Sequence, residues 1–214
     1  MARGRAAGYD DQRDAILQHA AALFARHGYP ATSMNQVALA CGLSKATLYH
    51  YYRDKDALLA EIAQTHVQRL QALVHEVAAQ ALAPEPQLRL LIQRIVAEYA
   101  GAQNAHRVLT EDVRFLPPDD RERILAMERA VVAGFAQAVA ALRPGLQQAA
   151  LAKPVTMLLF GMVNWMFTWV QPGGALSHDQ LAPLVADLFL GGLPALVVPP
   201  PRPQPQPQPT EEPA

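Results

Sequence analysis

The sequence predicts an all-α protein, with a small amino-terminal unit of three helices containing a helix-turn-helix and a larger helical body behind it. Three observations predict this. Half of the residues are apolar, at 51%, while β-branched residues are few, which favours helix over sheet. Apolar residues recur at three-to-four spacing through nearly every segment. Between Thr32 and Tyr52, TSMNQVALACGLSKATLYHYY, two short helical segments are each opened by a serine and are parted by a glycine turn.

The first residues, 1–9, are Gly/Ala/Arg-rich and are expected to form a mobile arm. Arg3 and Arg5 would be within reach of phosphates or a minor groove, or the arm is a tail without a role. A first helix is expected from Asp10 or Asp11 to Gly28, since Ile16, Ala20, Leu23, Phe24 and His27 share helical spacing. Ser33 and Gln36 then form a capping box for a helix from Met34 to Ala40, with Val37, Ala38 and Cys41 inward. Gly42 supplies the positive φ that stops it. Leu43 fills the angle, and Ser44 caps a second helix from Lys45. A capped helix, a turn of about three residues and another capped helix fit a helix-turn-helix, and the unit spans residues 10–54. Its second helix crowds Lys45, Thr47, Tyr49 and His50 onto one segment, with Leu48 left for the core. Such a helix presents its first residues to base edges in a major groove, or it is a Tyr-rich solvated surface; spacing alone leaves both open.

The body spans residues 55–198. Asp54 caps a long helix with Asp56 in its first turn, favourable at the positive end of the dipole. It is expected to run through ALLAEIAQTHVQRLQALVHEVAAQAL to the breakers Pro84 and Pro86, a lever joined directly to the head. Pro86 to Ala100 follows with Leu88, Leu91, Ile92, Ile95, Val96 and Tyr99 on one side. NAHRVLTEDVRFLPP reads as a helix ending at Pro117, and Asp119 to Leu142 as one carrying Ile124, Met127, Val131, Phe135 and Val139, with its DDRERILAMER part a solvated face. Pro154 to Val170 is the most hydrophobic run and is expected to be one core helix. Seventeen residues are marginal for a bilayer, and Thr156, Asn164 and Thr168 interrupt them. Leu158, Gly161, Met162, Trp165 and Trp169 would share one face and Met157, Phe160, Asn164 and Phe167 another, so one side meets the core and the other a second subunit. Asn164 needs a partner there, whether a backbone group, a side chain or a bound molecule, because an unpaired amide costs roughly 1–3 kcal/mol. Pro172 to Gly174 makes a turn. Ser177 with Gln180 then caps a last helix in which Pro183 predicts a kink or a late start. Residues 199–214, Pro/Gln-rich, are expected to be an extended or disordered tail.

The net charge of −1 speaks against a nucleic-acid partner until it is divided. Through Lys55 there are seven Lys/Arg against four Asp/Glu; beyond it there are eleven against fifteen. A modestly basic head on an acidic body results. The single cysteine, Cys41, excludes an internal disulfide framework and fits a reducing cytosol, as a packing residue or a redox sensor. The amino terminus has no apolar core of a secretory leader, so a cytoplasmic location is expected. No G-x-S-x-G, H-E-x-x-H, P-loop or dinucleotide pattern occurs and the histidines are scattered, so neither an enzyme nor a metal site is expected.

CGLSKATLYHYYRDKDALL resembles the helix-turn-helix and its exit in the TetR/AcrR family of bacterial one-component regulators. The match lies in the Gly-Leu-Ser turn, the Leu-Tyr pair, the aromatic run and Lys55 before an acidic, leucine-containing helix start. Tyr52 stands where Phe is usual and Ala46 where Gly is frequent. The resemblance implies a dimeric, ligand-responsive repressor whose carboxy-terminal domain binds ligand and dimerises through its last two helices, with the long helix linking ligand to head spacing. On DNA, helix ends and caps meet the backbone and the start of the second helix enters the groove. Thr32, Ser33, Tyr49, Tyr51 and Lys55 are therefore expected at phosphates, and Lys45, Ala46, Thr47 and His50, behind the Ser44 cap, at bases.

LLFGMVNWMFTWVQPGGALS, with LFLGGL after it, resembles a subgroup of that family that senses acyl-CoA thioesters and represses fatty-acid, phenylacetate or sterol-ring degradation. The resemblance implies an acyl chain among Phe115, Met157, Phe160, Trp165 and Trp169, with Asn164 a candidate ligand residue through its amide. Arg107, Arg114 and Arg143 are candidates for the CoA phosphates by location only, each equally readable as a solvated ion pair. The expected partners are a palindromic operator, a second copy of the chain and this effector, with no other cofactor and no membrane. Two alternatives stay open. One is an efflux regulator for lipophilic cations, which needs buried acids that the run from Met157 to Val170 lacks. The other is an apolar-ligand carrier, which would have no use for the stretch from Thr32 to Tyr52.

Overall fold

The computed structural model describes the backbone of residues 3–171 and 173–197, and the side chains of residues 8–171 and 173–197. Every regular element among them is helical. In order they are α1 (Arg3–His27), α2 (Met34–Ala40), α3 (Lys45–Tyr51), α4 (Lys55–Ala78), α5 (Pro84–Gly101), α6 (Gln103–Asp112), α7 (Pro118–Leu142), α8 (Pro144–Gln148), α9 (Ala152–Val163), α10 (Met166–Trp169) and α11 (His178–Gly192), with single 3-10 turns at Val113–Phe115 and Leu193–Ala195.

The head is α1 to α3, closed over Ile16, Ala20, Phe24, Val37 and Leu48, all essentially solvent-free. The two short helices end where their side chains dictate. Ser33 accepts from the Gln36 N–H while the Gln36 side chain accepts from the Ser33 N–H, and Gly42 leaves α2 at φ +64°. Ser44 accepts from the Thr47 N–H, and the Asp54 carboxylate accepts from the Ala57 N–H at 2.7 Å to open α4. α4 is the spine of the molecule, since it packs on α1 in the head and on α5, α6 and α7 in the body. At its crossing with α7, Gly134 lies so close that a Cβ there would stand 2.3 Å from Val74 Cγ1. α9 lies on α7, and α11 on α5.

Several boundaries differ from the sequence expectation; among them, α6 ends at Asp112 and gives way to a 3-10 turn before Pro117. α1 is helical from Arg3, so the arm expected over residues 1–9 is largely its first turns, and the reach of the Arg3 and Arg5 side chains lies outside the described residues. α4 stops at Ala78 rather than reaching Pro84. Pro84 forces Ala83 into extended backbone (ψ 152°) as the next helix begins, and the chain reverses through Ala81 at φ +49°. α8 was not anticipated; it is a single turn behind Pro144, leaving Ala150 at φ +57°. The apolar run is not one helix: α9 starts at Ala152 and ends at Val163, and α10 is a separate turn. Both pieces are shorter than a bilayer span. α11 starts directly after its Ser177 capping box with Pro183 inside it, so the late start does not occur. The proposed turn keeps Gly173 at φ +74°; its Pro172 and the tail over residues 199–214 lie outside the described residues.

Candidate nucleic-acid interface and internal pocket

On α3, Leu48 is fully buried and the rest of the face is open. Ser44, Lys45, Ala46, Thr47, Tyr49 and His50 are all exposed. The Lys45 ammonium lies 5.8 Å from the Tyr49 ring centre, and the Ser44 and Thr47 hydroxyls are 2.7 Å apart. Donors, acceptors and one methyl side chain are thus concentrated on the first turn of a helix whose opposite side is anchored. This is the form a major groove admits. Ser33 is also exposed, with its hydroxyl 2.9 Å from Gln36 Oε1.

Three expected phosphate contacts are placed otherwise. Thr32 is 2% exposed, and its hydroxyl donates to the carbonyl of Gly28 at 3.0 Å, closing the end of α1. The Lys55 ammonium donates to the carbonyls of Tyr29 at 2.7 Å and Thr32 at 2.8 Å and lies 4.2 Å from the Tyr29 ring centre. Its charge ties α4 to the loop after α1 instead of facing outward. Tyr51 is half-buried and stacked on Tyr9 at 4.8 Å. Tyr52, where phenylalanine is usual, uses its hydroxyl: it accepts from Arg13 Nε at 3.2 Å while Arg13 also pairs with Glu61 at 2.6 Å. Arg13 thereby joins α1, the end of α3 and α4.

In the body, a cavity of about 310 Å³ opens between α5, α6, α7 and α9. One stripe of α9 lines it, Lys153, Met157, Phe160 and Asn164, facing Leu125, Glu128, Arg129, Val131 and Val132 of α7 and Tyr99, His106, Leu109 and Thr110 of α5 and α6. Its walls are mostly apolar. At the carboxy-terminal end of α9, the Tyr99 hydroxyl donates to Asn164 Oδ1 at 3.1 Å, and His106 Nε2 lies 3.2 Å from the Asn164 carbonyl. That carbonyl meets a histidine of α6 at the point where α9 has ended and α10 has not begun. Tyr99 and His106 stack at 3.6 Å. Lys153 stands at the start of α9 and Arg129 on α7; Glu128, also on α7, lies near Tyr99, whose hydroxyl pKa is pushed up by burial and then by the Glu128 charge.

The tautomers along the histidine pair are fixed. A carbonyl only accepts, so His106 Nε2 carries the proton; its Nδ1 therefore accepts from His66 Nε2, 3.4 Å away on α4. Burial pushes both imidazoles down, His66 to about 3 and His106 to about 4, so both are neutral. His66 Nδ1 is left as a buried acceptor without a hydrogen-bond partner among the described residues, 4.0 Å from Glu98 Oε1. His66 also lines a second cleft of about 570 Å³, between α1, α4 and the start of α6. The pair therefore spans the distance from the internal pocket to the underside of the head. Burial pushes the Glu128 carboxyl up to about 7 against the opposing pull of Arg129.

Of the expected ligand residues, the cavity gathers Met157, Phe160 and Asn164 only. Phe115 stacks on Tyr29 at 5.7 Å beside the head. Trp165 and Trp169 are 53% and 55% exposed, on the face that helical spacing gives them with the equally open Leu158 and not on the stripe of Met157, Phe160 and Asn164. Arg107 pairs with Glu111 at 3.0 Å, Arg114 lies over the Phe115 ring, and Arg143 donates to the carbonyls of Leu193 and Leu196. None of the three lines the cavity. Sequence reasoning missed Tyr99, His106, Glu128 and Lys153 as lining residues. For Glu128 a signal existed: it stands four after Ile124 and three before Val131, on the buried side of α7. The objection that no acid is available held for α9 alone. His66 and His106 carried no signal, since they meet only when α4 crosses α6.

The family model of bacterial regulatory proteins of the tetR family matches residues 16–62, and that of the tetracyclin repressor-like C-terminal domain matches residues 81–193. The chain is 24% identical over 191 residues to the HTH-type transcriptional repressor KstR2 of Rhodococcus jostii, covering 87% of this chain and 93% of that protein. Among solved structures, it is 36% identical to a TetR-family transcriptional regulator from Bordetella parapertussis, with a TM-score of 0.80 and coverage of 86% and 97%. It is 25% identical to AibR, solved in complex with isovaleryl coenzyme A and operator DNA, with a TM-score of 0.72 and coverage of 83% and 97%.

Proposed function

The chain belongs to the TetR family of bacterial regulatory proteins, and from that premise we propose that it works in the cytoplasm as a homodimer on a palindromic operator and is released by an acyl-CoA thioester. It is a DNA-binding, ligand-responsive transcription factor of the repressor type, not an enzyme. The observation that carries the mechanism is the continuity of α4. One uninterrupted helix runs from the Asp54 cap at the head to Leu70 in the wall of the cavity, with His66 one turn before it. An occupant that shifts α6 or α9 therefore acts on the element that sets where α3 points. Effector and operator compete through two populations of head spacing, and the effector selects the one that does not match successive major grooves.

The second copy is supported by apolar surface. Leu158 on α9 and Leu184 and Leu188 on α11 are 66%, 52% and 70% exposed, on the two helices that pair between subunits in this family. The thioester is supported by the likeness to AibR and by an apolar cavity that has Lys153 and Arg129 for an anionic end. A lipophilic cation is the second reading, and Glu128 favours it. The test is fluorescence anisotropy on the chain's own upstream region, titrated with isovaleryl-CoA, longer acyl-CoAs and a lipophilic cation. Release by the thioesters and not by the cation supports the proposal; the reverse pattern transfers it to the second reading. Leu188→Glu should elute as a monomer and lose operator binding; a wild-type chain that is itself monomeric on the column refutes the dimer.

A further inference from the structure

Three turns of α9 separate Lys153 from Asn164, about 16 Å at 1.5 Å per residue, with Met157 and Phe160 between them on one stripe. Along α9 the cavity thus runs from a lysine through apolar side chains to an amide, with Glu128 of α7 near Tyr99. At the amide end the hydrogen bonds are nearly all taken. Thr110 donates to the His106 carbonyl at 2.9 Å, and both His106 ring nitrogens are engaged. The Tyr99 hydroxyl proton has Asn164 Oδ1 as its acceptor, which orients the amide. Asn164 Nδ2 then makes no hydrogen bond among the described residues and stays within reach of water, and Asn164 lines a cavity walled by Leu109, Val131 and Phe160. A donor left among apolar walls discriminates sharply in favour of a ligand that brings an acceptor, because one that does not must strip the donor of water and return nothing.

We infer that the effector carries a carbonyl oxygen on its buried part and that Asn164 Nδ2 donates to it. The inference rests on reading this cavity as the effector pocket. The carbonyl has two possible sources, the thioester itself or an oxo group further along the acyl chain. Asn164 also receives the Tyr99 hydroxyl and hands its own carbonyl to His106, so the same residue that meets the ligand holds the histidine pair leading to α4.

Three CoA derivatives separate the sources: octanoyl-CoA, its thioether analogue octyl-CoA, and 7-oxo-octanoyl-CoA. Binding is read by calorimetry at pH 8 on wild type, on Asn164→Asp, which keeps an acceptor for Tyr99 but removes the donor, and on Asn164→Ser, which withdraws it. One neutral hydrogen bond predicts roughly a five- to tenfold preference. A thioester source favours octanoyl-CoA over octyl-CoA by that factor; an acyl source favours the oxo derivative over octanoyl-CoA. Either preference should collapse in both variants. The proposal is overturned if wild type shows neither preference or if the variants retain it. A CoA-free pair, 4-phenyl-2-butanone against butylbenzene in thermal shift, keeps the test independent of the thioester reading. If no CoA derivative binds but the ketone raises Tm more than the hydrocarbon in wild type alone, the thioester reading fails and this one stands. If the two probes act alike, this one fails.

Discussion

Replacing Lys55 by methionine distinguishes a structural tether from a phosphate contact. In the fold, its ammonium donates to two main-chain carbonyls, those of Tyr29 at 2.7 Å and Thr32 at 2.8 Å, and sits over the Tyr29 ring. Methionine keeps the length and the apolar stem and removes only the donor. Hydrogen bonds to a charged group contribute about 1.5–3 kcal/mol when buried; Lys55 is half-exposed, so water can reach the abandoned carbonyls and the low end applies to each. With about 0.5–1 kcal/mol for the cation–π contact, the loss comes to roughly 4 kcal/mol. For a chain of this size that lowers Tm by about 8–16 °C. Calorimetry or circular dichroism measures it, and operator affinity is followed against salt concentration in parallel. Because the charge faces inward, the slope of log K against log salt should stay at the wild-type value. A slope shallower by about one, with Tm unchanged, would mean that Lys55 neutralises a phosphate and that its inward contacts are dispensable.

Three more outcomes follow from particular contacts. Gly134→Ala places a Cβ 2.3 Å from Val74 Cγ1; valine is stiff at χ1, so overpacking of about 1–3 kcal/mol outweighs the roughly 1 kcal/mol of helix propensity gained, and urea unfolding should show a net loss. Acid unfolding carries two opposed contributions. His66 and His106, held near 3 and 4, bind fewer protons folded than unfolded, so stability falls as pH drops from about 6.5 towards 4. Glu128, held near 7, binds more protons folded, so its contribution grows as pH falls from about 7 to 4.5. Glu128→Gln should therefore steepen the acid fall, and a shallower fall would reverse the assigned direction. Lys45→Ala should cost on the order of 1–3 kcal/mol at one operator position if Lys45 reads a base; a uniform loss across operator variants makes it a phosphate contact instead.

Local chemistry determined the head. Ser33 with Gln36, Gly42, Ser44 and Asp54 each act within four residues of themselves, so their helix boundaries are written where the sequence is read, and Leu48 falls inward by spacing alone. The apolar stripe of α5 was legible for the same reason. What the sequence could not settle were groups whose partners arrive from another helix. Lys55 and Thr32 look like surface donors until the loop after α1 folds over them. Asn164 looks like one polar point in a continuous helix until Tyr99 and His106 meet it where α9 ends. A helical period specifies which face a residue occupies, but only the crossing of α4, α6, α7 and α9 decides what that face meets, because a hydrogen bond forms over about 3 Å and no sequence spacing encodes that distance between helices.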